Sequence, residues 1–195
     1  MRSLSAIALL LLGLAACRPA SQPTALTATE QQHYLSMGQD IVGRSFSTLS
    51  SNLQAAMAAG GVTEAVSFCQ LAAMPLTDSL SAAMHASIRR SSTRTRNPAN
   101  APRAHEQAML DSFAAQFAAG ETPTPQVQPL GLDSVAFYAP IMLLAPCQRC
   151  HGIPGQTIDS SDYAFIQARY PDDQATGYQA GDLRGIWSIA FAREA

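Results

Sequence analysis

The chain has 195 residues, of which 47% are hydrophobic and 13% charged, and its formal net charge is −2 at pH 7. This length suits one domain with a hydrophobic core and is too short for two domains of ordinary size. The composition excludes a disordered chain, and the small net charge gives no electrostatic basis for binding nucleic acid.

The N-terminus has the pattern of a bacterial lipoprotein signal. Arg2 precedes the apolar run AIALLLLGLAA, which is too short to remain as a membrane-spanning helix. The run ends at Leu14-Ala15-Ala16-Cys17, which resembles a lipobox, so we expect residues 1–16 to be removed and Cys17 to be lipidated. The alternative is an ordinary signal peptide cleaved nearby. Both interpretations predict export, and the first places the protein in the periplasm or cell envelope, anchored to a bacterial membrane.

Residues 17–28 are rich in Pro, Ser, Thr and Ala, which predicts a lipid anchor followed by a flexible tether. A long helix is predicted next, over residues 29–59, starting at a capping box formed by Thr27 and Glu30. One apolar stripe recurs along it at three-, four- and seven-residue spacing: Leu35, Val42, Phe46, Leu49, Leu53 and Met57.

Gly60-Gly61 is expected to end this helix, and Thr63 to cap a second one through EAVSFCQLAAM. Pro75 should interrupt that second helix, and a short helix, TDSLSAAMH, is expected after it. Residues 86–97 have many Ser and Thr and predict an exposed edge strand.

The remaining segments predict a helix, a loop, a strand, a helix and a final strand. The helix covers residues 103–119 and the proline-rich loop covers residues 121–131; SVAFYAPIMLL forms the strand that leads into the cysteine motif. SSDYAFIQARY predicts a short helix capped by Ser160 or Ser161, and GDLRGIWSIAFA predicts a last strand with a bend near Gly185. The order predicts one α+β domain over residues 29–195, with helices first and an antiparallel sheet after them.

Cys147, Cys150 and His151 carry the most specific chemistry in the chain. A thioredoxin-like redox pair would open a helix, whereas Gly152 and Pro154-Gly155 follow this motif at once. A structural zinc site would need four ligands, and the sequence has no second cysteine pair. Covalent attachment of haem c needs only two thiols for the vinyl groups and the adjacent imidazole for the iron. The motif therefore favours one covalent haem c, which agrees with the predicted export.

The second axial position of such an iron is open to several side chains. A methionine is possible because Met/His ligation is common in cytochromes c, and His33, His85 or His105 would give two histidine ligands. Cys69 is the only cysteine left after lipidation and haem attachment. It has small apolar neighbours on its predicted helix face, but burial as a small hydrophobic residue is an equally good interpretation.

Four blocks, in this order, resemble a known family: GGVTEAVSFCQLAAMP, RRSSTRTRNPANAP followed by a helix, CQRCHG, and YPDDQATGYQAGDLRGIWSI. The family comprises single-haem c-type proteins with a PAS-like fold, found as exported proteins and as sensor regions of bacterial signalling proteins. The resemblance covers about residues 30–193 and implies a PAS-like antiparallel sheet. It also implies that His151 and Cys69 ligate the iron while Cys147 and Cys150 hold the vinyl groups.

Arginines are candidates for the haem propionates on charge alone, namely Arg94, Arg96 and Arg184. A site with histidine and thiolate ligands is expected to be low in potential and closed to substrate, which argues against an enzyme. We therefore expect one-electron transfer with an unidentified redox partner protein; the alternative is a haem-based sensor of redox state or diatomic gas.

Overall fold

The computed structural model describes residues 25–194, so the predicted signal peptide, Cys17 and most of the tether lie outside the described residues. The described chain is an α+β domain. Its elements, in order, are α1 (Ala28–Leu71), α2 (Ala73–Ala83), β1 (Ser87–Ser91), α3 (Ala104–Ala118), β2 (Gln126–Pro129), β3 (Ser134–Met142), α4 (Gln148–His151), α5 (Ser160–Arg169) and β4 (Leu183–Ala192).

The four strands form one antiparallel sheet in the order β1-β4-β3-β2, consistent with the predicted PAS-like fold. The last strand, β4, therefore lies between β1 and β3. Ile141 pairs with Gly185 and Met142 pairs with Leu183, so Arg184 is an extra residue in β4 and the predicted bend is a β-bulge.

Helix α1 begins as predicted, with both hydrogen bonds of the Thr27–Glu30 capping box present. The tether prediction is one residue too long, because Ala28 is already helical. The predicted apolar stripe is partly wrong: Leu49 is buried, but Phe46 is 48% exposed. The buried face instead includes Gly38 and Ser45, because the helix lies so close to the sheet that Gly38 is directly against the ring of Phe137.

The predicted break at Gly60-Gly61 is confirmed as a kink within α1, since both residues have non-helical dihedral angles. Gly61 has φ of 65°, which glycine adopts without strain. The next interruption is at Ala72, so Pro75 lies in the first turn of α2, where a missing N–H is tolerated.

The edge strands differ most from the prediction. β1 is at the predicted edge but is shorter, and residues 98–100 form a single 3-10 turn. β2 lies within the segment predicted to be a loop; it is a second edge strand and ends at Pro129, a position where proline is tolerated. Helix α5 is capped by Asp159, without a side-chain hydrogen bond, and neither Ser160 nor Ser161 is the cap.

Three apolar clusters hold the domain together. One face of the sheet packs against α1 and α2, with Phe137, Trp187 and Ile189 buried there, and the other face packs against α3. The third cluster joins the part of α1 beyond the kink to α5 and is made by Val62, Val66, Ile158 and Ile166. The cysteine motif lies beside this third cluster.

Within residues 25–194, no helix is both long enough and apolar enough to cross a bilayer.

Candidate functional site

Two consecutive helical turns carry the cysteine motif. Ala145–Cys147 is a 3-10 turn and Gln148–His151 is the single turn α4. Cys147 and Cys150 are both free thiols and both half-buried. Gly152 ends the turn, and a Cβ atom at this position would overlap with Thr157 Oγ1 and the Gln148 carbonyl oxygen. The motif therefore requires glycine here because of close packing.

The imidazole of His151 is held in one orientation. Its Nδ1 lies 2.7 Å from the carbonyl oxygen of Ala175, which can only accept, so Nδ1 carries the proton and Nε2 has a free lone pair. Burial, together with the positive charges of Arg96 and Arg184, holds the pKa of His151 well below its usual range. The ring is therefore neutral, as a metal-ligating histidine must be.

Ala175 belongs to a segment, residues 173–178, that is called the strap below and that also hydrogen-bonds to the backbone of the motif. The backbone N–H of Tyr178 donates to His151 O at 3.0 Å, and the N–H of Gly177 donates to Gly152 O at 2.6 Å. The strap itself is closed by Asp173, whose Oδ1 accepts from the N–H of Ala175 at 2.8 Å. The motif and the strap thus form one hydrogen-bonded unit around His151.

Arg96 joins the strap to the motif turn. It donates to Asp173 Oδ2 from Nε and Nη2 at 3.1 and 2.9 Å, and Nη2 also donates to Cys150 O at 2.5 Å. The side chains of Arg96 and Asp173 are only 11% and 3% exposed. Nε and Nη2 of Arg96 therefore both donate to protein groups.

Arg94 also serves the strap. It donates to the carbonyl oxygens of Gln174 and Thr176, and its guanidinium lies 4.3 Å from the centre of the Tyr178 ring. Of the three arginines predicted to bind the propionates, Arg94 thus bonds to backbone carbonyl oxygens of the strap. Arg96 bonds to the Asp173 carboxylate and to the backbone of Cys150.

Cys69 lies on the part of α1 beyond the kink, one turn from the buried residues Ala65 and Val66. Burial raises the pKa of the Cys69 thiol, and the positive charges of Arg90 and Arg96 oppose this shift. Burial likewise raises the pKa of Cys150 to about 11, with Arg96 opposing it and Cys69 reinforcing it. Arg96 thus acts on Cys69, Cys150 and His151 together, which places all three in one region of the domain.

Arg90, on β1, was not among the predicted site residues. It is half-buried beside Trp187, with its guanidinium 5.9 Å from the ring centre, and its charge acts on both Cys69 and His151. Its sequence context gave no signal, because an arginine on a predicted exposed edge strand is normally a solvated residue.

Arg184, on the bulge of β4, is one of the arginines predicted to bind a propionate. Its positive charge also lowers the pKa of His151. Its Nη1 donates to Ser92 Oγ at 2.7 Å and its guanidinium lies 5.2 Å from the Tyr178 ring centre. Its Nε is buried and has no hydrogen-bond partner.

The three alternative histidines lie elsewhere. His33 is close to Glu194, His105 hydrogen-bonds to Tyr138 OH at 2.6 Å on the α3 side of the sheet, and His85 lies in the turn between α2 and β1. Among the methionines, Met57 packs against the same apolar cluster as Cys150. Within residues 25–194, no three His, Cys, Asp or Glu side chains converge to hold a metal ion.

These features define a PAS-like α+β domain in which a cysteine-histidine motif lies near a half-buried thiol and a group of arginines. The chain matches the sequence profile of the Tll0287-like family (Tll0287) over residues 20–192 and belongs to that family. This confirms the family resemblance seen in the four sequence blocks.

One solved structure to which the chain is similar is the crystal structure of the cyanobacterial heme-protein Tll0287. The identity is 24% and the TM-score 0.56, and the match covers 82% of this chain and 98% of that chain. At this identity the likeness establishes the fold. No curated protein matches the chain.

Proposed function

We propose that the protein is an exported, lipid-anchored c-type haem protein that carries one covalent haem and transfers single electrons. Membership of a family whose solved relative is a haem protein supports haem binding. The observation that carries the proposal is the His151–Ala175 hydrogen bond, because it leaves Nε2 of a half-buried, neutral imidazole as a ligand beside two free thiols on consecutive helical turns.

The residues of the chain fit this cofactor. Cys147 and Cys150 would hold its vinyl carbons, and His151 Nε2 and the Cys69 thiolate would ligate its iron. The buried Nε of Arg184, which lacks a protein partner, fits an anionic edge of the cofactor. When bound, the haem iron supplies a centre that gains and loses one electron. The protein orients the histidine, excludes water with the third apolar cluster, and compensates negative charge with arginines.

Covalent attachment can be tested by digestion, because Arg149 lies between the two cysteines. Trypsin should release residues 104–149 and 150–169 as separate peptides from the haem-free chain. In protein matured in a host competent for haem c attachment, the same two peptides should stay joined through the porphyrin, with the mass of one haem added. In a Cys147→Ser variant, only the 150–169 peptide should carry the haem. Two unmodified peptides from the matured wild-type chain would overturn the proposal.

The second axial ligand can be tested by comparing Cys69→Ala with Met57→Leu. Both changes remove a sulfur atom, but only the first removes a thiol. We expect the wild type to show the optical and EPR signature of a ferric thiolate complex, Cys69→Ala to retain covalent haem and lose that signature, and Met57→Leu to keep it. A wild-type spectrum without thiolate character that changes only in Met57→Leu would assign the ligand to methionine.

Electron transfer can be distinguished from sensing by the response of the reduced protein to carbon monoxide. With His151 and Cys69 both on the iron, no position is open, so a carrier should have a low midpoint potential and should not bind carbon monoxide. For the same reason we expect no peroxidase turnover. Rapid binding with loss of the sulfur ligand would instead favour a sensor, a role that PAS-like folds also serve.

Lipid anchoring rests on the sequence pattern at Leu14–Cys17. We expect Cys17→Ser to move the protein from the membrane fraction to the soluble periplasmic fraction without changing its haem spectrum. Wild-type protein recovered without a lipid on Cys17 would overturn this part of the proposal.

A further inference from the structure

Arg90 and Arg184 lie at the same end of the sheet, where β1 ends and β4 begins. Arg90 pairs across the sheet with Trp187, three residues after Arg184, and Ser92 Oγ donates to the backbone oxygen of Arg184 at 2.8 Å. The strand register and this hydrogen bond place the two residues close together at this end of the sheet, and the positive charge of each lowers the pKa of His151.

Neither of these two arginines has a carboxylate partner among residues 25–194. Arg96 has Asp173, whereas Arg90 has only the Trp187 ring and Arg184 has only Ser92 and the Tyr178 ring. Both side chains are half-buried, and burial lowers the pKa of each guanidinium. A partly desolvated cation without a paired anion is unfavourable, and the buried N–H at Arg184 Nε, which has no protein partner, adds to the cost.

Asp173, the one carboxylate whose charge acts on Arg184, is already paired with Arg96. The guanidinium groups of Arg90 and Arg184 can therefore each pair with an added anion. Guanidinium forks match carboxylates in geometry as well as charge. Resting on the proposed function, we propose that Arg90 and Arg184 form the carboxylate-binding subsite of the haem pocket, each donating to one propionate, while Arg94 and Arg96 hold the strap.

The test uses the full haem-free chain and iron mesoporphyrin, which has ethyl groups in place of vinyls and so cannot form thioethers. Its affinity is compared with that of its dimethyl ester, in which both carboxylates are masked. The wild-type chain should prefer the free acid. Arg90→Met and Arg184→Met should each lower this preference about tenfold, since a hydrogen bond to a charged group is worth about 1.5 kcal/mol or more.

Two controls separate carboxylate binding from structural damage. Arg94→Met removes a residue that holds the strap, so it should weaken binding of both porphyrins equally and leave the ratio unchanged. Arg44→Met, at an exposed position paired with Asp40, should change neither affinity. Arg184→Lys should recover part of the preference, because lysine restores the charge without the fork.

Thermal unfolding of the haem-free chain gives an independent measurement. Arg90→Met should be at least as stable as wild type, because it removes a half-buried charge that has no paired carboxylate. Tight binding with an unchanged preference in both Met variants would overturn this inference alone. Failure of the wild-type chain to bind either porphyrin would also overturn it, whereas a covalent haem on the matured chain would leave the proposed function standing.

Discussion

Asp173 connects two parts of the site that are far apart in sequence. One carboxylate oxygen accepts from Arg96, which follows β1, and the other accepts from the N–H of Ala175, whose carbonyl oxygen orients His151. The side chain is 3% exposed. Asp173 is therefore a positioning residue that acts on the histidine through one backbone group.

Replacement of Asp173 by Ala should destabilise the haem-free chain by about 3 kcal/mol, because it leaves the buried Arg96 without its counter-charge. Asp172→Ala is the matched control, since the neighbouring carboxylate is exposed. Urea denaturation measures both variants. Equal unfolding midpoints would show that the Arg96–Asp173 pair does not hold the strap.

At this scale the sequence predicted the residues whose chemistry depends on spacing, and not those whose role depends on packing. Cys147, Cys150 and His151 follow from the motif alone. Charge alone predicts Arg94, Arg96 and Arg184. It cannot distinguish an arginine that donates to backbone carbonyl oxygens from one with an N–H that lacks a partner. Asp173 lies in a block that marked the family, but its role depends on Arg96, 77 residues earlier in the chain.

Helix α1 approaches the sheet through small residues, which explains why its buried face was misjudged. Gly38 and Ser45 carry no apolar signal, yet both are fully covered, whereas Phe46 is half exposed. The prolines around β2 similarly concealed an edge strand. The capped start of α1 at Thr27 and its kink at Gly61 were predictable from the sequence, as were the central strands β3 and β4. Capping and burial patterns are local, so the sequence shows them directly.

Two glycines of α1 should respond in opposite directions to the same change. Gly38→Ala should destabilise the protein by about 2 kcal/mol, since the added Cβ would overlap with the Phe137 ring. Gly43→Ala should stabilise it by about 0.5–1 kcal/mol, because nothing lies within 4 Å of the new atom and alanine favours helix. Thermal or urea unfolding tests both; stabilisation by Gly38→Ala would contradict the close contact between helix and sheet.

The start of α1 is tied to the segment after β4 by Glu30. It accepts from Thr27 in the capping box and from Arg193, and these bonds lower the pKa of Glu30 from 4.5 to about 2. Since this pKa is depressed in the folded state, the stabilisation is complete above pH 4.5 and is lost as the pH falls towards 2.

Glu30→Gln should therefore lower stability at neutral pH, and its difference from wild type should shrink as the solution is acidified through that range. Urea unfolding midpoints measured across the range test this. Glu121→Gln, at an exposed position, is the control. A difference that does not change with pH would exclude an ionic contribution from Glu30.

On the scale of the whole molecule, the kink at Gly61 divides α1 into two parts with different packing partners. The buried residues of the first part pack against the sheet, whereas Val62 and Val66, beyond the kink, belong to the third apolar cluster beside Cys150. Cys69 belongs to the second part. The proposed axial ligands thus connect that part of α1 to the motif through the iron.

Covalent haem should slow amide hydrogen exchange more in the part of α1 beyond the kink than in the part before it. We expect holoprotein, compared with haem-free chain, to exchange more slowly over residues 62–71 and 147–178, where the proposed ligands and the strap lie. Residues 28–59, which pack on the sheet, should change little. Uniform protection along α1 would show that its two parts act as one cooperative unit.

The position of β4 has a consequence for biogenesis. Both β1 and β3 pair with a strand that follows every other described element in the chain. Until β4 has been synthesised the sheet lacks a central strand, and the cysteine motif, which precedes β4 in the chain, is not yet enclosed. If the chain is exported as proposed, the two thiols of the motif would therefore be accessible for haem attachment before the sheet is complete.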